Sequence, residues 1–543
     1  MSLSDLPPDI LLNVCLFLPI YVLKDFYDHL PIGKWKILVE KSLFQNVFYG
    51  PALQGEYRYN ITLEELMQFA KGELTTRIRS LHLFLQDHLF EAPCIDAFLA
   101  FAKKYPDFLS LIPSIKYFGN VSPFQKYSRT VSIRNVVWCV FFNNDSVLLD
   151  LIPPKLVKLY VSCDTFDLSF DFPVTLKKLS VRCISNMGRL NLPPNLEDLK
   201  CDSAEQIWEE FPITLKELTL VRNMTPFAYT FPENLTNLTI DVVLSINLTE
   251  IVFPLRLQRL CFSNIFRKLT FVGEITFPVT LEVLEITDCV ISCLSDFKFP
   301  MALQKLNLND SLLTSLDNVD FPLLKYLNIS AEISRDRITS MRKAQLPWTL
   351  ETLIATGQPI EDWSKTILPD NLKTMDIMVA ESNNLPYPPC LEVLKVVFKS
   401  HRANFRDLSL PYSLVDLSLE NGECLLFHWN LPNLKKLSVS QFYGEIHIPR
   451  TVTDLYLRGP HQRPFYRLKL PFGLESVNLS FLAKRYPGTL GAISISKYTN
   501  NKEVQWPPRL RWLEINSNDL IDRALLKLPP PSVRFLRGTN IRD

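Results

Sequence analysis

Residues 211–223 read F-P-I-T-L-K-E-L-T-L-V-R-N, and this phrase decides the fold. Counting from Pro212, Leu215 is three residues on, Leu218 six and Leu220 eight. In a strand, the two leucines of L-x-L share one face and the residue between them takes the other. The phrase recurs with its proline at Pro153, Pro173, Pro193, Pro212, Pro232, Pro254, Pro278, Pro300, Pro322, Pro347, Pro369, Pro388, Pro411, Pro432, Pro449, Pro471, Pro487, Pro507 and Pro530. That is 19 copies at a step of about 21 residues, a period that reads as a solenoid.

The columns hold at fixed offsets, which a merely leucine-rich chain would not do. The first leucine column is Leu in 17 of 19 copies, the exceptions being Val452 and Val533. The second is Leu in 16, with Met375, Val477 and Ile493 in the others. Pro322 and Pro432 read as one residue short before the first leucine. Each proline lacks an N–H and pushes the residue before it away from the α region, so the return limb should be extended, with little helix. One such unit cannot bury its apolar face alone; stacked neighbours close the core between them.

L-x-x-L-x-L with a leading proline resembles the leucine-rich repeat, in its short proline-containing variety. Asn223 and Asn518 stand where that family places an asparagine ladder, while Asp164, Ala204 and Cys289 hold the slot elsewhere. The resemblance implies an α+β chain: a leucine-rich-repeat parallel β-solenoid over 151–543, degenerate repeats and connecting helices over 49–150, and a helical head over 1–48. Within 49–150, Thr62 to Ala70 and Cys94 to Tyr105 read as amphipathic helices, the first with Thr62 and Glu65 at capping-box spacing. Ile78, Leu81 and Leu83 repeat the leucine spacing, and Pro113, Ile115 and Phe118 suggest a worn copy.

The head is of another kind. Asp9 to Leu18 has helical apolar spacing, with Pro8 in its first turn and Pro19 as its stop. The stretch resembles the F-box through Leu6, Pro7, Asp9, Ile10, Leu11, Val14, Leu18, Pro19, Leu23 and Trp35. It departs from that motif at Val22, where an acidic residue is usual, and at Leu30 to Lys34. The resemblance implies that Leu6, Pro7, Ile10, Leu11, Val14, Leu18, Pro19, Leu23 and Trp35 dock a Skp-type adaptor of a cullin-RING ubiquitin ligase. The competing reading is a cap over the open end of the solenoid.

Composition narrows the function. Basic and acidic residues balance at 58 against 57, which argues against a dedicated nucleic-acid or anionic-membrane surface. The amino terminus has no basic segment followed by an apolar one, and no apolar run is long enough to span a bilayer. With 11 scattered cysteines, the expectation is a reduced cytoplasmic or nuclear protein. Several N-x-S/T triplets, at Asn234, Asn237 and Asn328 among others, read as repeat positions rather than glycan acceptors.

No catalytic motif stands out: there is no H-E-x-x-H, P-loop, G-x-S-x-G or C-x-x-C. Cys289 and Cys293 are four apart with no companion ligands, and the 7 histidines show no ligand spacing. No cofactor or metal is expected, and the chain is read as a non-enzyme. The strand positions beside the leucines should bind a protein target, with Lys158, Tyr160, Arg182, Lys200, Arg259, Tyr456, Arg458 and Trp512 as the anchoring types. The F-box and repeat resemblances together imply the substrate receptor of an SCF-type ligase, a monomer within a hetero-complex. The alternative is a scaffold with no ligase link. A third class, bacterial ligases that carry a cysteine-dependent domain after such repeats, is disfavoured because the copies run almost to Asp543.

Overall fold

Leucine at fixed offsets from proline produces the same three-part unit again and again: a turn, a short strand and an extended return. A computed structural model describes residues 20–29, 34–50, 59–72, 78–85, 92–130, 135–142, 147–148, 152–163, 166–167, 172–183, 191–202, 210–222, 230–241, 245–248, 251–265, 268–270, 275–289, 291, 294–311, 313–331, 338–358, 360–361, 363–379, 385, 387–399, 409–421, 423–424, 430–440, 443–444, 448–460, 470–482, 507–522 and 535–542. Two units divide after Val243.

In the first unit, Tyr59–Asn60 and Ser80–Leu85 both pair with Asn46–Tyr49, all parallel. The parallel ladder runs on through Ser114–Gly119, Val136–Phe142, Lys158–Cys163, Lys178–Cys183, Asp198–Asp202, Glu217–Val221 and Asn237–Asp241. In the second, Arg259–Ile265 pairs with Val283–Cys289, and parallel strands continue from there to Phe535–Arg542. Parallel neighbours joined by returning chain are what a solenoid requires. The return limbs add small parallel pairs of their own, such as Phe166–Asp167 on Val147–Leu148 and Lys268–Thr270 on Ser245–Asn247.

The leucine columns fill the core. Leu215, Leu218 and Leu220 are 0–1% exposed, as are Leu281, Leu284 and Ile286. Burying each such side chain stabilises by about 1.5–3 kcal/mol relative to leaving it in water. The apolar residue before each proline forms a second column, where rings stack between turns. Phe211 lies 6.2 Å from Phe231 in the first unit; in the second, Phe253, Phe277, Phe299 and Phe321 follow one another at 6.1–6.3 Å.

The proline opens a β-turn. Its carbonyl accepts from the N–H of the first leucine three residues on, as in Leu215 to Pro212 and Leu281 to Pro278, both 3.0 Å. Where a second proline follows, at Pro154, Pro194, Pro389 and Pro508, it takes the next turn position, whose φ its ring already sets. One expectation is corrected here. The copy at Pro432 is not short: Leu431 takes the opening position, its carbonyl accepting from Leu434, and Pro432 sits second. Pro322 does lead a genuinely tighter turn, with Leu324 donating back to it at 2.7 Å.

A side-chain ladder fastens turn to turn. Two residues after the proline, Thr214 donates to Pro194 O and Leu196 O and Thr280 to Leu255 O and Leu257 O, all at 2.8 Å. Asn195, Asn234, Asn371 and Asn433 reach the first of these carbonyls on the preceding turn through Nδ2, at 2.9–3.1 Å. The triplet at Asn234 is therefore engaged structurally: Asn234 bonds Ile213 O, and Thr236 donates to Lys216 O at 3.1 Å. In the slot where an asparagine ladder was expected, Asp164, Ala204 and Asn223 lie outside the described residues, while Cys289 is buried with its thiol 3.7 Å from Phe262 O of the preceding turn and 3.1 Å from Thr287 O.

Ser476–Leu482 pairs with Trp512–Asp522, and the copies at Pro487 and Pro530 lie outside the described residues. One further correction concerns register. In the worn copy, Tyr117 and not Phe118 faces the core. The helix Leu63–Ala70 carries the expected capping box, Thr62 N–H donating to Glu65 at 2.8 Å and Glu65 N–H to Thr62 Oγ1 at 3.2 Å. Ala92–Lys104 and the short helix Pro106–Leu111 follow on the return limbs.

At the head, helices Ile20–His29 and Lys34–Leu43 pack on the first rungs. Leu23, Val39 and Leu43 are buried. Phe44 meets Tyr27, Tyr59 and Phe69 edge-on at 4.9–5.9 Å.

Candidate binding face

Alternation in every strand leaves one side open. In the first unit the open side of the early rungs carries two columns of side chains two residues apart along the strands. Register aligns Phe48, His82, Lys116, Trp138 and Lys158 in one column. It aligns Phe84, Phe118, Val140 and Tyr160 in the other.

The rings of these columns lie against one another. Phe84 and Phe118 stack at 4.6 Å and 8° between planes, and Phe118 is also parallel to His82 at 6.2 Å and 8°. Phe48 lies 4.3 Å from His82, and Trp138 meets Phe118 edge-on at 5.1 Å. Lys116 Nζ stands 5.7 Å from the Trp138 centroid and Lys158 Nζ 5.2 Å from it, so one indole is flanked by two ammonium groups. Lys116 also approaches His82 Nε2 at 3.4 Å. Partial burial and then the charge of Lys158 push the pKa of Lys116 below the usual lysine value. Among the described residues neither lysine has a carboxylate partner.

Further along the same unit the charges satisfy one another. Lys178 pairs with Asp198 at 2.9 Å, and Arg182 pairs with Asp202 at 3.3 Å. Arg222 closes on Asp202 from the other side. Beside the strands, hydrogen bonds from Lys177 and Lys216 bring the carboxyl of Glu197 down to about 2.

In the second unit Glu285 is the most buried charge of the open side, held between Arg259 at 2.7 Å and Lys305 at 2.8 Å. Burial works to raise its pKa, and the two cations outweigh it and leave the group below the usual carboxylate value. Lys305 also lies over Tyr326 at 5.2 Å. Burial raises Asp376 above the usual range despite a bond from Thr356 at 2.9 Å. Nearer the end of the unit, Asn478 donates to Glu514 at 2.8 Å.

The residues named from sequence fall as follows. Lys158, Tyr160, Arg182 and Lys200 lie on the open side of the first unit, and Arg259, Tyr456, Arg458 and Trp512 on that of the second. Arg182 and Arg259 are engaged in the ion pairs above. Leu6, Pro7, Ile10, Leu11, Val14, Leu18 and Pro19 lie outside the described residues. Trp35 belongs to the helix Lys34–Leu43. Leu23, expected at a docking edge, is 3% exposed and faces the chain's own core. Of the basic stretch before Leu346, Arg335 and Arg337 lie outside the described residues, while Arg342 and Lys343 are exposed, Lys343 lying 3.8 Å from Asp317.

The aromatic part of the platform escaped the sequence reading. Phe48, Phe84, Phe118 and Trp138 sit in strands that are apolar on both faces, so alternation alone does not say which side they take. The signal was indirect: once Leu81 and Leu83 are placed inward, period two puts His82 and Phe84 outward.

Among the described residues no group of three or more His, Cys, Asp or Glu side chains could hold a metal ion, and no helix is long and apolar enough to cross a membrane. No protein-family model matches the chain, and no curated protein does. Among solved structures, the chain is similar to YopM from Yersinia enterocolitica WA-314, with 19% identity, 75% of this chain and 87% of that chain covered, and a TM-score of 0.43.

Proposed function

We propose that this chain is a protein-recognition scaffold, and that its strand ladder presents side chains for a partner on the open side. The observation that supports this is the segregation of residue types. The buried side of the ladder is apolar throughout and mostly aliphatic in the regular copies, whereas the open side varies from rung to rung in ring, charge and amide. Packing requires the first uniformity; recognition is what the second kind of variety serves. The test is affinity purification from a source lysate with wild-type chain and with Lys158→Ala/Tyr160→Ala and Arg458→Ala/Trp512→Ala variants. Specific partners should be lost from at least one variant that melts like wild type. Partners retained by both would remove this reading.

A finer proposal follows from the motif running from Leu6 to Trp35. The head docks a Skp-type adaptor, which makes the chain a target receptor of a cullin-RING ubiquitin ligase and leaves catalysis to other subunits. The head helices also bury Leu23, Val39 and Leu43 against the first rungs, as a cap would. The two roles are compatible, since Lys24, Asp25, Ile37 and Lys41 remain exposed on the same helices. Calorimetry of the folded chain with purified adaptor tests docking. Absence of heat leaves the cap reading standing alone.

A further inference from the structure

Two features together mark the early rungs on the open side of the first unit. Their rings are stacked on one another, and among the described residues their two in-register cations, like Lys200 further along, have no carboxylate partner. Stacking decides what such a surface offers. An aromatic ring is negative on its face and positive at its edge. With Phe84 and Phe118 parallel at 4.6 Å, and His82 parallel to Phe118 at 6.2 Å, the faces are spent on neighbouring rings and the edges are left to a visitor. Nucleobases bind by stacking on open faces, so a single-stranded nucleic acid finds little here. Ring edges and two ammonium groups together make a surface that is apolar and electropositive at once.

We infer that the open side between Asn46–Tyr49 and Lys158–Cys163 binds an extended acidic peptide segment whose carboxylates recur at every third residue with apolar side chains between them, the carboxylates meeting Lys116 and Lys158 and the apolar groups meeting the ring edges. This rests on the scaffold reading above and specifies its partner chemistry. Charge complementarity selects the occupant: Lys178, Arg182 and Arg222 further along are already neutralised by Asp198 and Asp202, whereas Lys116 and Lys158 are not. The two lysines stand in register on either side of Trp138, two rung spacings apart, or about 10 Å. In an extended polyproline II segment, with three residues per turn and about 3.1 Å per residue, residues i and i+3 share one face about 9 Å apart, whereas in a β-strand they would point to opposite faces. The peptide lying along the ladder axis therefore has acidic residues three apart with apolar residues between. An arriving carboxylate offsets the repulsion from Lys158 that contributes to lowering the pKa of Lys116.

The test uses the full chain and a fluorescein-labelled heptapeptide, Glu-Phe-Leu-Glu-Phe-Leu-Glu, read by anisotropy at 50 and 300 mM salt. Matched peptides carry Gln or Lys in place of Glu, and a labelled 15-nucleotide oligouridylate is the nucleic-acid arm. The acidic peptide should bind roughly tenfold or more tightly than the Gln peptide, with the advantage shrinking at the higher salt. A Lys116→Gln/Lys158→Gln variant should reduce it to the Gln level. Both substitutions are on the open side, and an unchanged thermal melt keeps the comparison valid; a Lys158→Arg variant, which keeps the charge, should bind like wild type. Equal binding of acidic and Gln peptides, or an unaffected double variant, overturns the inference. So does an oligouridylate that binds more tightly than the acidic peptide and depends on the same lysines. Failure here is separable from failure of the scaffold reading. If Arg458→Ala/Trp512→Ala abolishes capture of the natural partner while Lys116→Gln/Lys158→Gln does not, the open side still binds protein and only this placement falls.

Discussion

Thr280→Val is the most direct probe of what fastens one turn to the next. The hydroxyl of Thr280 lies 2.8 Å from both Leu255 O and Leu257 O. Leu257 is fully buried, so its carbonyl depends on a protein partner. Valine keeps the shape and removes the donor. A lost intramolecular hydrogen bond costs about 1 kcal/mol net, and stranding the buried acceptor raises this toward ~2 kcal/mol. Thr280→Asn should recover part of the loss. Asn195, Asn234, Asn371 and Asn433 reach the carbonyl equivalent to Leu255 O at 2.9–3.1 Å, but not the one equivalent to Leu257 O.

The assay must be local. A long array of nearest-neighbour contacts does not unfold as two states, so a global midpoint would blur one ladder bond. Native-state hydrogen exchange resolves it through the amides of Leu257, which donates to Pro254 O, and of Glu282 and Val283, which donate to Gln258 O. A loss of about 1 kcal/mol corresponds to roughly fivefold faster exchange. For Thr280→Val the acceleration should be confined to this pair of rungs, and Thr280→Asn should fall between Thr280→Val and wild type. Unchanged exchange in Thr280→Val would refute the ladder as a stabilising device. An Asn variant as damaged as the Val variant would refute a contribution from the shared bond to Leu255 O.

The remaining expectations can be checked with single variants. Val279 is 78% exposed at the turn corner and Leu281 fully buried two residues later. Val279→Ser should change stability by less than about 0.5 kcal/mol and Leu281→Ala should cost ~2–5 kcal/mol, as read by thermal melting and local exchange. Gly357 has φ +78°, and a Cβ there would fall 1.7 Å from Ala331 O. Gly357→Ala should thus cost about 3 kcal/mol or more and expose that rung to proteolysis. Glu197 titrates at about 2 because Lys177 and Lys216 hold its charged form. A carboxyl lowered on folding stabilises above its unfolded pKa, and that contribution is lost as pH falls toward 2. NMR should find its titration shifted upward in Lys177→Met and in 1 M salt. Leu23→Asp should yield insoluble chain, whereas Ile37→Asp, at a position 46% exposed, should fold normally; equal behaviour would contradict the packing of the head.

The repeat was legible because its period carries the physics: proline, turn and paired leucines sit at invariant offsets, and all three leucine columns are buried where described. What failed to show was register wherever the chain lacks a contrast between its faces. Val136–Phe142 reads V-V-W-C-V-F-F, with no polar residue to mark the solvent side, and a register shift between Ile115 and Lys116 displaces its pairing as well. Phe118 was assigned inward for the same reason, since Tyr117 and Phe118 are equally apolar candidates. The slip at Pro432 has another cause. Proline suits either of the first two turn positions, and only the hydrogen bond from Leu434 to Leu431 distinguishes them. The Thr/Asn ladder hid in plain composition, because a hydroxyl and an amide in one column look like neutral variation until both are seen to donate to the preceding turn.

These failures bear on where function sits. A solenoid repeat is selected twice, once for the column it buries and once for the column it shows, and in the regular copies the two are separable by type. In the early rungs they are not, since Leu, Tyr and Phe inward face Phe, His and Trp outward. Rings on the solvent side cost solubility unless something covers them or they cover each other. Mutual stacking meets part of that need, and two lysines over Trp138 meet another part by keeping the surface charged. Stability alone would have been served by the Lys–Asp pattern used a few rungs later, where Lys178 meets Asp198. The rungs beside the head therefore give up neutrality for a surface of one sign and one texture, and a partner of opposite sign is what makes that arrangement favourable.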